Sequence, residues 1–253
     1  MKESNWTKLK LARSSDRKRS SDYINEIFNS FIEFHGDRKY GDDNSIIAGI
    51  GMIEGRAVTI IAQEKGKNTK EQIYRNFGMT NPEGYRKALR IMKQAEKFRR
   101  PIITFIDTPG AYPGIEAEER GQGQAIAENI MEISKIKVPI ISIIIGEGSS
   151  GGALGIGLGD RTIMLENSIL TVASPETVSS IIYKNSKETE KVANEMKISS
   201  YELKDINIVD EVVQENSNTM QLLKKYIIEY LNDLQMLEET ELLDLRYQKY
   251  RKF

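Results

Sequence analysis

The sequence predicts a layered α/β fold with parallel strand pairing. Three observations carry that prediction. Two apolar runs, Ile102 to Asp107 and Ile140 to Ile145, read as strands buried on both faces. Each ends in a glycine-rich turn that opens a helix. Along the rest of the chain, strand-like and helix-like stretches alternate, the pattern that parallel pairing requires.

Taken in order, Met1 to Ser21 is rich in Lys, Arg and Ser. Its composition favours a basic, mobile N-terminal arm over a docking segment, and residues 22–253 suit one large domain or two small ones. Asp22 to Phe34 places Tyr23, Ile27 and Phe31 beside Ile24, Phe28 and Phe34 at helical spacing. Ile46 to Ile53 and Arg56 to Ala62 read as strands joined by a hairpin turn at Glu54-Gly55. Gln63 to Thr80 is a polar connection carrying Lys65, Lys67, Lys70 and Arg75. It could neutralise phosphates of a nucleotide-like cofactor, or simply be solvated.

Asn81-Pro82 reads as a helix cap and first-turn proline, with the helix running to about Arg99. After Pro101 comes the first buried strand, then the turn Thr108 to Gly114, then one long helix from Glu116 to Lys135. Glu116, Glu118, Glu119 and Arg120 at its start suit the helix dipole, although paired carboxylates could also do acid–base work. Pro139 restarts the chain into the second buried strand. Arg161 to Leu165 and Ile169 to Ala173 are short strands, Pro175 opens a helix, and Asn207 to Val213 is strand-like. A last helix begins near Ser217, with Leu223, Ile227, Leu231 and Leu234 on one stripe.

Composition excludes several classes of function. The chain has 253 residues and a net charge of −1, so no global field draws it to nucleic acid or membrane. No apolar run approaches the roughly 20 residues of a membrane span. Cysteine is absent, which excludes disulfides and thiolate metal sites and fits a reducing cytoplasm. His35 is the one histidine.

The segment Ile140 to Gly159 is the most informative. Gly146 to Gly152 holds four glycines in seven residues. A strand, a glycine turn and a helix start present bare backbone N–H groups at a positive dipole end, which suits an anion or a developing oxyanion. Gly148-Ser149-Ser150-Gly151-Gly152 matches a hydrolase nucleophile elbow with Ser150 as nucleophile, but no histidine follows to act as base. Gly146-x-Gly148-x-x-Gly151 has dinucleotide-fingerprint spacing, yet it lies mid-chain without the acidic strand end expected about 20 residues on. Close helix–strand packing is the plain alternative for such glycines. The second turn, Thr108 to Gly114, changes the weighting. In a parallel sheet both turns lie at strand carboxyl ends on one side, where ligands bind.

From about Leu11 onward, the chain resembles the alpha-subunit family of the carboxyltransferase component of bacterial acetyl-CoA carboxylase. The matching stretches are Arg75 to Arg90, Pro101 to Gly123 and Val138 to Leu154, with Gly159-Asp160-Arg161 and Ser174-Pro175-Glu176. The resemblance implies a crotonase/ClpP-like superhelix of ββα units with C-terminal helices, over a single carboxyltransferase domain spanning residues 22–253. It implies an α2β2 assembly in which a separate beta subunit carries the zinc, with no metal on this chain. It implies transfer of a carboxyl group from carboxybiotin, tethered to a biotin carboxyl carrier protein and charged by biotin carboxylase, to acetyl-CoA. The product would be malonyl-CoA for fatty-acid synthesis in the cytoplasm.

By motif, Gly151 and Gly152 would give backbone N–H donors to the ureido oxygen of biotin. Gly148, Ser149, Ser150, Pro109, Gly110, Ala111, Tyr112, Lys65 and Arg75 would line the substrate. Backbone donors explain why the subunit can lack a catalytic histidine. Four departures from the family pattern lie in or near this cleft: Ser149 for a glycine, Thr177-Val178-Ser179 for Gly-Cys-Ala, Gln63-Glu64 for His-Gln, and Ile115-Glu116 for a pair ending in glycine. They leave open a non-catalytic or altered-specificity paralogue that binds the beta subunit, or a stand-alone crotonase-type acyl-CoA enzyme.

Overall fold

The computed structural model describes residues 3–185 and 187–252. Eight strands form one mixed sheet: β1 (Ser30–Glu33), β2 (Ile46–Ile53), β3 (Arg56–Gln63), β4 (Ile102–Thr108), β5 (Ile140–Ser149), β6 (Arg161–Leu165), β7 (Ile169–Thr171) and β8 (Glu211–Val213). Their spatial order is β1-β2-β3-β4-β5-β6-β8, with β7 alongside the end of β5. The β1–β2 and β2–β3 pairs are antiparallel, and every other pair is parallel. The β2–β3 turn is Glu54-Gly55, both left-handed (φ 45° and 76°), the two-residue geometry that matches strand twist.

Among the described residues, twelve α-helices pack around the sheet. In order they are α1 (Asn5–Ala12), α2 (Ser20–Ile27), α3 (Thr69–Tyr74), α4 (Pro82–Lys97), α5 (Ile115–Glu119), α6 (Gln122–Ile133), α7 (Ser150–Gly157), α8 (Pro175–Tyr183), α9 (Thr189–Glu195), α10 (Ser200–Asp205), α11 (Thr219–Gln235) and α12 (Glu239–Tyr250). Every residue of β4 and β5 is buried, because both sheet faces are covered. Alternate strand residues feed two cores. Ile102, Ile106, Ile140 and Ile144 pack with Tyr85, Met92 and Ile156. Phe105, Ile141 and Ile143 pack on the other face with Phe28, Leu223, Ile227 and Leu231. No helix among the described residues is long and apolar enough to cross a membrane.

Five elements differ from the sequence-based expectation. Residues 3–21 do not form a mobile arm. Leu9 and Ala12 of α1 are buried against Ile169, Ala193 and Ile198, and Arg13, Arg17 and Arg19 pair with Glu147, Glu215 and Asp107. The helix expected over Asp22 to Phe34 stops at Ile27, and Phe31 joins β1. Strand β1 lies against Gly49 and Gly51 of β2, where a side chain would strike the Ile32 carbonyl or the Ile60 side chain. The helix expected over Glu116 to Lys135 breaks into α5 and α6 at Gly121, which is left-handed (φ 83°). The strand-like piece Asn207 to Val213 shortens to β8, after a left-handed Asn207 (φ 62°). Finally, α12 follows the helix expected to be last.

Candidate active site

Strands β4 and β5 are parallel, so their carboxyl ends share one side of the sheet. Their register slips there. Ile106 pairs with Ile144 but Thr108 pairs with Gly148, so β4 advances two positions while β5 advances four. Hence Gly146-Glu147-Gly148, read from sequence as turn, is the bulged end of β5. Asp107 lies opposite the slip. Any side chain at Gly146 would collide with the Asp107 carboxylate, which instead accepts the Glu147 N–H at 3.0 Å.

Around this point the charges are mutually paired, with Arg19, Asp107 and Glu147 buried and Arg13 and Glu176 at the surface end. Asp107 meets Lys65 Nζ at 2.8 Å and Arg19 at 3.3 Å. Glu147 meets Arg13 at 2.7 Å and Lys65 at 3.4 Å. Arg13 reaches on to Glu176 of α8 at 2.7 Å. Burial alone would lower the Arg13 pKa, but Glu147 and Glu176 outweigh it and raise it above its ordinary value. Burial would likewise raise the Glu176 carboxyl, yet Arg13 holds it below the usual range. Leaving Asp107, Glu147 or Arg19 unpaired in its buried site would be costly, so the cluster fixes the end of β5 against α1 and the segments that follow α1 and β3.

Beyond it the chain turns sharply. Ser149 is buried in extended backbone, whereas Ser150 is exposed and left-handed (φ 54°), and α7 starts at once. This is the strand–turn–helix shape of a nucleophile elbow, but it has no base. His35 follows edge strand β1 and hydrogen-bonds Asp42 at 2.8 Å. The glycines of a dinucleotide fingerprint would need to form the turn, and here two of them are strand.

Ser149 makes no side-chain cap on α7. The first N–H groups of a helix have no intrahelical acceptor, so those of Gly151 and Gly152 are free to donate, at the positive end of the dipole. The Gly152 carbonyl is fixed from behind by Gln63 Nε2 at 2.8 Å and Tyr85 Oη at 3.3 Å. Burial raises the Tyr85 pKa and keeps that hydroxyl a donor. A Cβ on Gly152 would lie 2.6 Å from the Gly110 carbonyl carbon and 2.7 Å from the Ala111 nitrogen. The two glycine turns are therefore in backbone contact.

The 108–114 turn is braced in its own right. Thr108 Oγ1 donates to the Gly110 carbonyl at 2.7 Å and accepts the Gly110 N–H at 3.1 Å. Tyr112 N–H donates to the Thr80 carbonyl at 3.0 Å, and Gln122 Nε2 spans the Thr80 and Tyr112 carbonyls. Pro109, Gly110, Ala111 and Tyr112 are all half-buried. The Tyr112 ring covers Gly114, where a Cβ would strike it.

The remaining site residues named from sequence divide. Gly148 lies in β5, where a Cβ would touch Leu170 and the Ile106 and Ile144 side chains. The Lys65 ammonium is held by the two carboxylates, with 12% of its side chain exposed. Arg75 donates to the Asn44 carbonyl at 2.6 Å, and its guanidinium sits 5.4 Å from the Tyr74 ring centre. The structure thus brings Lys65 and the two glycine turns to one strand end, with Arg75 on the neighbouring connection. Sequence reasoning missed Asp107, Glu147, Arg13, Arg19 and Tyr85, and placed Gln63 near the cleft without a role. One signal was available: a charged residue within each of two otherwise apolar or glycine-only strands, where charge is not tolerated unpaired.

The departures have local uses. Gln63 anchors Gly152. Glu64, nearly fully buried, accepts the N–H groups of Ser21 and Gly66, both at 2.8 Å. Thr177 N–H closes the Ser174 cap of α8, and Ser179 Oγ donates to the Asn185 carbonyl. Ser149 is the exception, its hydroxyl buried with no partner. An unsatisfied buried hydroxyl costs about 1–3 kcal/mol. Ser149→Ala is therefore expected to raise the thermal midpoint of the unliganded chain by a few degrees, read by differential scanning calorimetry; a lower midpoint would show that the hydroxyl has a partner.

A family model described as acetyl co-enzyme A carboxylase carboxyltransferase-like matches residues 2–253. The chain belongs to this family. It is 53% identical over 254 residues to the acetyl-coenzyme A carboxylase carboxyl transferase subunit alpha of Alkaliphilus oremlandii, covering 97% of this chain and 80% of that one. The subunit of the same name from Clostridium perfringens is 52% identical, covering 97% and 94%. Among solved structures, transcarboxylase 12S with methylmalonyl-coenzyme A and methylmalonic acid bound superposes with a TM-score of 0.74 at 18% identity. That match covers 91% of this chain but under half, 44%, of the transcarboxylase chain. A Pseudomonas malonate decarboxylase hetero-tetramer in complex with coenzyme A superposes with a TM-score of 0.68 at 16% identity, covering 82% and 86%. The family's fold is therefore the crotonase fold of carboxyltransferases.

Proposed function

We propose that this chain is the carboxyl-donor half of an acetyl-CoA carboxyltransferase, acting in the cytoplasm with a zinc-bearing beta subunit in an α2β2 assembly. The observation that carries the reading is the uncapped first turn of α7, pressed against the 108–114 turn at Gly152. Its donor set suits an oxygen that gains negative charge, and the missing side chain at Gly152 lets the 108–114 turn approach to backbone contact. Biotin, carried as carboxybiotin on a biotin carboxyl carrier protein and charged by biotin carboxylase, would supply an activated carboxyl group and a ureido oxygen. The N–H groups of Gly151 and Gly152 would be placed to donate to that oxygen, whose negative charge, developed on loss of the carboxyl group, would be quenched by the proton that the acetyl-CoA methyl gives up. Fixed donors in a water-poor pocket need no reorganisation during the step, and loss of one such donor typically costs about 10²–10³ in rate. Gln63 and Tyr85 hold the next peptide along, through the Gly152 carbonyl. The half-buried residues Pro109 to Tyr112 form the facing wall, and the Asp107–Glu147 cluster keeps both strand ends in place.

The test is reconstitution. Mixed with the beta subunit of a close relative, carboxylated biotin and acetyl-CoA, the chain is expected to yield malonyl-CoA. Assembly without product under saturating substrates would favour a non-catalytic paralogue, and turnover of an enoyl-CoA by the chain alone would favour a stand-alone acyl-CoA enzyme.

A further inference from the structure

Residues Asn76, Phe77 and Gly78 are left-handed in succession, with φ of 50°, 56° and 77°. Glycine takes this conformation freely. Asparagine tolerates it, but for a phenylalanine it is a genuine outlier, at a cost of about 1–2 kcal/mol. Such strain persists only where the surroundings over-determine it, and here they do. Arg75 donates to the Asn44 carbonyl at 2.6 Å. Gly78 N–H donates to the Arg75 carbonyl at 2.9 Å, and Met79 N–H to the Asn76 carbonyl at 2.8 Å. Gly78 packs so tightly on the Asp107 carbonyl and the Lys65 side chain that a Cβ would clash with both. Two residues on, Thr80 bridges to Ala111. The strained turn is thus locked to the carboxyl end of β4, beside the two glycine turns.

The strain does not bury the ring: Phe28 and Phe105 are buried in the core, whereas Phe77 is 47% exposed, and the neighbouring Ile73 and Tyr74, like Phe98, are exposed too. An aromatic ring held in a costly conformation and left half in water gains little from burial within its own chain. The geometry points to Phe77 as a substrate-contacting residue, whose ring forms an apolar plate at the rim of the cleft and packs on the flat face of the biotin ring system. This rests on the donor-side reading above. The apolar face would complement the polar contacts made at the ureido edge, as in other pockets where apolar walls surround a few placed polar groups.

Three measurements test it on the full chain assembled with the beta subunit. Phe77→Gly removes strain and ring together. It is expected to raise the thermal midpoint by a few degrees while raising KM for carboxylated biotin about tenfold, the equivalent of one lost apolar contact of about 1.4 kcal/mol. KM for acetyl-CoA is expected to stay within twofold. Ile73→Ser, a neighbouring exposed apolar residue on α3, is expected to change neither constant. With 4-fluorophenylalanine at position 77, the fluorine resonance is expected to shift on adding biocytin and to stay unmoved on adding coenzyme A. If the wild-type assembly makes no malonyl-CoA but biocytin still moves the resonance, the donor-side reading fails and the contact stands. If transfer proceeds while neither the resonance nor KM for the donor responds, the proposal is overturned. It is overturned equally if Phe77→Gly and Ile73→Ser both weaken assembly, since the ring would then belong to a protein interface.

Discussion

Gly152→Ala is expected to lower malonyl-CoA formation at least a hundredfold in the reconstituted assembly. The reason is a backbone clash rather than a forced dihedral. The new Cβ would lie within 2.7 Å of two main-chain atoms of Gly110 and Ala111, neither of which can swing aside as a flexible side chain would. Turning the Gly152 peptide offers no relief, because its carbonyl is held by Gln63 and Tyr85. Either α7 or the 108–114 turn must move, and displacement of a reacting geometry by about 1 Å can cost about 10²-fold. Gly151→Ala is the matched control. Its Cβ would meet only a methyl of Ile126, at 3.4 Å, and its N–H is retained. That variant is expected to keep activity within tenfold of wild type. Equal activity of wild type and Gly152→Ala would remove the oxyanion role from this turn. A fall in both activity and thermal midpoint, with no fall for Gly151→Ala, would show that Gly152 places the donors through packing.

How much of this was legible in the sequence depends on how local each signal was. The β2–β3 hairpin, β4, α4 and the first half of β5 follow from patterns contained within each segment: alternation, an isoleucine run, a proline at the helix start. The two glycine turns were legible for the same reason, and their meeting follows from parallel pairing. The failures near the N-terminus are long-range. Phe31 has helical spacing, but glycines in β2, twenty residues on, let a strand settle beside them. The basic N-terminus looks solvated until Glu147, more than a hundred residues away, is seen to hold Arg13. Glu147 itself sat inside the most closely read segment of the chain. Its charge was the clue that Gly146 to Gly148 is buried strand, since an ionised side chain there demands partners that only the fold supplies. Phe77 was illegible for another reason, because nothing in Asn-Phe-Gly requires the first two residues to be left-handed.

Arg246→Ala is expected to be the most destabilising single change in the chain, at about 3–5 kcal/mol. No sequence pattern marks Arg246. It lies on α12, whose buried face consists of Leu242 and Arg246 alone, so the helix is held by polar anchoring more than by apolar area. The guanidinium, 1% exposed, makes a two-point contact with Asp160, both bonds at 2.8 Å. It also donates to the carbonyls of Ile133, Ile136 and Val138, partly neutralising the negative end of α6. Asp160 in turn accepts the Ile140 N–H at 2.7 Å. Truncation would leave a buried carboxylate with its counter-ion gone and three carbonyls without their donor. At roughly 2–4 °C per kcal/mol for a chain of this size, the thermal midpoint should fall by about 6–20 °C. Arg246→Lys keeps the charge but loses the planar fork, and should fall between the two. If the loss comes from the stranded charge, Asp160→Asn in the Arg246→Ala background should recover part of it, a coupling that a double-mutant cycle reads directly. A loss under about 1 kcal/mol would mean that α12 is held by its apolar contacts after all. Because Asp160 grips the first residue of β5 and Glu147 the last turn of the same strand, the two ion clusters brace opposite ends of the element that carries the glycine turn. Arg246→Ala assemblies below their lowered midpoint should therefore bind the carboxyl donor normally, and lose transfer only as α12 releases.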